Sequence, residues 1–146
     1  MAFVVPGAER FLADERVAGL SVGGLLYTAV VRIPLGTALF EEFAFRGVLF
    51  GWWSRAGSVV AAAVGSSVVF GLWHVGPALA LLRENDFAGG HLARAGIVAG
   101  SVAGTALGGL LLVWMRVRTR GIVGPVIVHA TANSLGTVAA FIWQRS

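Results

Sequence analysis

The chain has 146 residues, room for one domain, and is 57% hydrophobic but only 12% charged, where an ordinary soluble domain carries about 25% charged residues. Too little polar surface remains to coat a water-soluble globule, so the composition points to an all-α, polytopic transmembrane helix bundle with four to five membrane segments. All 11 basic residues are arginine, the net charge is +4 and cysteine is absent, which excludes disulfides and thiol chemistry; the charge sits on loop arginines and speaks to topology, not to nucleic acid.

Residues 1–16, MAFVVPGAERFLADER, form a polar N-terminal segment of mixed charge without the apolar core and cleavage site of a signal peptide. Residues 17–146 form the membrane-embedded helical domain. Its first apolar region, Val17–Trp53, is interrupted by Arg32, Pro34 and Gly36. Proline removes a backbone donor and disfavours helix in the residue before it, so a break is predicted there. The region is either one kinked helix or, as preferred, two segments, Val17–Ile33 and Pro34–Trp53, with Arg32 placed to snorkel from a segment end.

Three further stretches, Gly57–Leu82, Ala95–Met115 and Gly121–Trp143, each exceed the ~20 residues a spanning helix needs. The linkers are Ser54–Ala56, Arg83–Arg94 (with His91 read as a loop residue) and Arg116–Arg120. The positive-inside tendency puts Arg55 and Arg116–Arg120 in the cytoplasm and Arg83–Arg94 on the far side. The expected location is the bacterial cell membrane, with the lipid bilayer as a partner.

Gly96, Gly100, Gly104 and Gly108 recur every four residues and share one helix face. Such a stripe lets a neighbouring backbone approach closely, within the chain or in a homodimer. It is read as packing, without chemistry.

Chemistry is expected from the ionisable residues inside the spans, which are costly there and need named partners. Glu41 and Glu42 are adjacent in the run IPLGTALFEEFAFRGVLFGWW, and each charge near the bilayer centre costs roughly 2.5–3.5 kcal/mol. Glu42 and Arg46 stand at i, i+4 and form a clamp on one face. Glu41 lies about 100° round the helix, has no partner on it, and is the candidate general base. His74 follows Phe70 by one turn; alone, such a histidine is more often a packing residue than a catalyst. His129 and Asn133, again at i, i+4, are either two donors for an oxyanion hole or polar glue between helices. No serine is well placed as a nucleophile, which leaves water.

In order along the chain, Glu41-Glu42-x-x-x-Arg46, Phe70-x-x-x-His74 and His129-x-x-x-Asn133 resemble the motifs of the CAAX prenyl endopeptidase and bacteriocin-processing family of intramembrane proteases, also called the Abi family. The resemblance covers about residues 33–135. It implies an all-helical bundle with the site in a cavity between helices, cleaving a peptide or protein substrate near the membrane surface. It also implies roles: Glu41 and His74 activate the attacking water, His129 and Asn133 hold the oxyanion, and Glu42 and Arg46 fix the helix and tune Glu41. Family members carry more helices before the first motif, so the implied object is a minimal or truncated core.

Many members carry the name metalloprotease, and a Glu/His/His set suits a three-ligand zinc site. Against this, no HExxH pair lies on one helix, and carboxylates to orient ligating histidines are scarce. Metal-independent catalysis with no cofactor is expected, a divalent metal such as zinc being the alternative. The rival functions are a non-catalytic membrane protein for bacteriocin immunity or scaffolding, and a small proton-coupled carrier.

Overall fold

The computed structural model describes residues 15–84 and 90–146. Most of the N-terminal segment 1–16, and residues 85–89 of the Arg83–Arg94 linker, lie outside the described residues. Every secondary-structure element among those described is helical. Four stretches are long and apolar enough to cross a membrane: α1 (Val22–Ala56), the stretch Val59–Glu84, α4 (His91–Thr119) and α5 (Val123–Trp143). The second stretch is interrupted by a turn at His74, with φ −80° and ψ 0°, dividing it into α2 (Val59–Trp73) and α3 (Val75–Glu84). Large apolar side chains face outward along these helices, with Val60 71% and Leu107 67% exposed. Water would penalise such a surface and acyl chains do not, so this is an integral membrane protein.

The predicted break at Arg32–Gly36 is absent: α1 runs through it as one helix. Thr28–Leu39 and Phe43–Leu49 adopt π-helical hydrogen bonding. A π turn bonds each N–H to the carbonyl five residues back, and the wider turn accommodates the ring of Pro34. Proline lacks that N–H, which orphans the carbonyl of Ala29. Ser134 on α5 repairs the loss, its Oγ donating to Ala29 O at 2.7 Å. In lipid an unmet carbonyl is costly, so this bond both permits the unbroken helix and docks α5 on α1. Arg32 is consequently not at a segment end; it lies inside α1 and is exposed.

Of the other boundaries, both ends of α4 and the end of α3 lie further out than expected, while α2 and α5 begin further in. Ser58 caps α2, accepting from Ala61 N at 3.4 Å. His91 and Arg94, read as linker, belong to α4, which begins at His91. Arg116 and Arg118 occupy its last turn, and Arg120 ends it in the left-handed conformation with φ 54°. Cations there complement the carbonyl end of the helix.

Two apolar clusters tie the helix ends. Phe50, Ala62 and Val113 join the end of α1, the start of α2 and the end of α4, so Arg55 and Arg116–Arg120 emerge on one side. Val17, Leu25, Ala140 and Phe141 hold the opposite end, where Arg145 donates to Leu20 O at 2.7 Å.

The close helix crossing uses Gly71, where an added Cβ would meet Val102 O at 2.6 Å and Ala106 Cβ at 2.9 Å. The Gly96/Gly100/Gly104/Gly108 stripe does not serve packing within the chain: a Cβ at any of the four would meet nothing within 4 Å. Periodicity marked a small-residue face correctly, but α2 packs on a different face of α4.

Candidate active site

The fourteen residues between Phe40 and Trp53 on α1 bring Glu41, Glu42 and Arg46 to the middle of the bundle. Glu42 is fully buried, Arg46 is 1% exposed and Glu41 8%. Glu42 Oε1 accepts from Arg46 Nη1 at 3.0 Å, the i, i+4 clamp anticipated from spacing. The same oxygen accepts from His129 Nδ1 at 2.8 Å, across 87 residues. Glu42 is thus the hub that ties α1 to α5, with one carboxylate offset by one guanidinium and one imidazole. The guanidinium also lies over the Phe70 ring, 4.0 Å from its centroid. Gly109 on α4 leaves it room: a Cβ there would stand 3.1 Å from Arg46 Nη2 and 3.3 Å from Phe70 Cδ1.

Glu41 points another way. Its Oε1 accepts from Trp73 Nε1 at 3.2 Å. Its Oε2 is buried, accepts no hydrogen bond and lies 3.7 Å from His129 Nε2. His129, 8% exposed, therefore touches both glutamates, one through each ring nitrogen.

His74 stands at the turn between α2 and α3. Its Nδ1 donates to Phe70 O at 2.8 Å; a carbonyl can only accept, so in the neutral ring the proton is on Nδ1 and Nε2 carries the lone pair. Phe70 is the aromatic centre of the site. Its ring meets those of His74, Phe45 and His129 edge-on, at centroid distances of 4.6, 5.1 and 5.9 Å.

Between α2, α4 and α5 lies a cavity of about 270 Å³. His74, His129 and Asn133 line it, with Phe70, Gly104 and Gly108. Two of the stripe glycines are therefore a cavity wall. The six anticipated residues divide into a buried cluster of Glu41, Glu42, Arg46 and His129, and a cavity lining of His74, His129 and Asn133; His129 belongs to both. Trp73 and Gly109 were not anticipated as parts of the site, and Phe70 was named only as the first residue of the motif that ends in His74. A tryptophan next to His74 and a glycine one residue beyond the stripe carry no distinctive spacing.

Among the described residues no group of three or more His, Asp or Glu side chains is arranged to hold an ion. Glu42 Oε1 and His129 Nδ1 are spent on one another, and Glu41 Oε1 on Trp73.

Comparison with curated proteins and comparison with solved structures each gave no match. The family model of the type II CAAX prenyl endopeptidase Rce1-like proteins matches residues 23–135, a stretch that contains the buried cluster and the cavity lining. The chain belongs to the type II CAAX prenyl endopeptidase Rce1-like family of membrane proteases.

Proposed function

We propose that this chain is an intramembrane endopeptidase that hydrolyses a peptide bond with a glutamate-activated water and without a metal. The observation that carries the reading is Glu41 Oε2, a buried carboxylate oxygen free of hydrogen bonds and 3.7 Å from His129 Nε2. A carboxylate in that state, inside a bilayer and next to a histidine that lines the cavity, is an acceptor waiting for a proton.

In the proposed reaction Glu41 Oε2 takes a proton from water as the water oxygen attacks the scissile carbonyl carbon. His74 Nε2, with its lone pair free because Nδ1–H is held by Phe70 O, orients that water. The carbonyl oxygen becomes an oxyanion and is received by Asn133 and His129 on the cavity wall. His129 donates its Nδ1–H to Glu42, so the donor it gives the oxyanion is the Nε2–H of the doubly protonated ring. Collapse of the tetrahedral intermediate breaks the C–N bond, and the proton held by Glu41 passes to the leaving amine. Glu42 and Arg46 hold the frame.

By the positive-inside tendency the end that carries Arg55 and Arg116–Arg120 faces the cytoplasm, and the substrate is a peptide segment that reaches the site within the bacterial cell membrane. The test is cleavage of a peptide panel, with and without prenyl groups, by purified protein and its Glu41→Ala, His74→Ala and His129→Ala variants, each with and without a chelator. Hydrolysis that survives the chelator and fails in all three variants supports the reading. Near-wild-type cleavage by a variant removes that residue from the mechanism, and loss with the chelator removes the metal-free chemistry.

A further inference from the structure

Of the five tryptophans, Trp52 and Trp53 end α1, Trp114 lies near the end of α4 and Trp143 closes α5. These are membrane-interface positions, where an indole N–H finds water or headgroups. Trp73 is different. It lies 14 residues beyond Val59, or about 21 Å along α2, inside a hydrocarbon core about 30 Å thick. An indole N–H there needs a partner within the protein. Its partner is Glu41 Oε1, 3.2 Å away and 32 residues earlier in the chain. The indole is steadied by Phe45, edge-on at a centroid distance of 6.0 Å, and Phe45 stands one turn after Glu41 on α1.

We infer that Trp73 is a positioning residue for Glu41: by occupying Oε1 it fixes the carboxylate so that Oε2 alone faces His129 and the attacking water. The two oxygens of a free carboxylate are equivalent, and rotation about its terminal bond exchanges them. Here one is held by an N–H and the other accepts nothing. Trp73 and His74 are consecutive, about 100° apart on a helix. The turn at His74 thus aims the indole at the base and the imidazole at the cavity, holding base and water-orienting group in register. The inference rests on Glu41 acting as the base in the proposed hydrolysis.

Trp73→Phe keeps an aromatic ring against Phe45 and removes the N–H. The expected result is a fall in kcat of about tenfold to a hundredfold, the scale of a misplaced reacting group, with KM within about twofold. A second measurement leaves Trp73 intact: with 15N-labelled tryptophan, the Trp73 indole N–H resonance moves in Glu41→Ala while those of the four interfacial tryptophans stay in place. A merely structural indole would shift that resonance but leave kcat of Trp73→Phe at the wild-type value. Wild-type kcat in Trp73→Phe, a loss wholly in KM, or an unmoved resonance each overturn the inference while leaving the protease reading intact. Absence of hydrolysis by the wild-type chain overturns both.

Discussion

Removing Arg46 should damage the protein more than removing Arg46 and Glu42 together. In Arg46→Met, Glu42 keeps its hydrogen bond from His129 but loses the guanidinium at 3.0 Å, in a site where the two side chains are 0% and 1% exposed. Stranding one partner of a buried pair costs about 3–5 kcal/mol, a large part of a total stability of about 5–15 kcal/mol. The stack on Phe70 is partly replaced, since a thioether also packs on an aromatic ring. In the double variant Arg46→Met/Glu42→Leu the carboxylate that paired with Arg46 is removed with it. What remains is the His129 Nδ1–H without its acceptor, worth about 1–3 kcal/mol. The double variant should therefore be more stable than the single one, by about 2 kcal/mol, while hydrolysis is lost in the double variant, where His129 is no longer held. The assay is unfolding in mixed micelles followed by tryptophan fluorescence, with peptide cleavage measured on the same samples. A double variant as unstable as Arg46→Met would refute the view of Glu42 as a charge that needs its arginine.

Three further outcomes follow from the packing. Ser134→Ala removes the donor to Ala29 O and leaves a carbonyl unmet beside Pro34; a loss of about 1–3 kcal/mol is expected, read in the same unfolding assay, and wild-type stability would show that α1 tolerates the orphan unaided. Gly109→Ala places a Cβ 3.1 Å from Arg46 Nη2 and 3.2 Å from Ser67 Cβ, and overpacking of this kind costs about 1–3 kcal/mol, with cleavage reduced because the guanidinium shifts. At Gly108 an added Cβ meets nothing within 4 Å and the position lines the cavity; in Gly108→Leu stability should stay near wild type while peptide cleavage falls, and unchanged kinetics would remove the cavity as the substrate site.

Much of this architecture was legible in the sequence, for a physical reason. A bilayer imposes a minimum apolar length, so the spans at Val59–Glu84, His91–Thr119 and Val123–Trp143 announce themselves to within a turn at most ends. Glu42 with Arg46, and His129 with Asn133, were legible because helical neighbours at i, i+4 need no tertiary information. The continuity of α1 was not, because the group that satisfies the backbone around Pro34 is Ser134, 105 residues from Ala29. The indole donor to Glu41 was equally hidden, since Trp73 lies 32 residues away. The glycine stripe shows a different limit. Its period identifies a face of α4, but what lies opposite that face depends on how α2 and α5 pack. Opposite Gly104 and Gly108 is the cavity, not another backbone.

The most direct measurement compares hydrolysis of one cleavable peptide by purified wild-type protein and by Glu41→Gln, both in the presence of a chelator. Glutamine keeps the shape of the side chain and an oxygen for Trp73, and removes the base. The account predicts wild-type turnover unaffected by the chelator and a loss of about 10²–10⁴-fold in Glu41→Gln, the usual contribution of a positioned general base. Turnover by Glu41→Gln at the wild-type rate, or wild-type turnover abolished by the chelator, would contradict it.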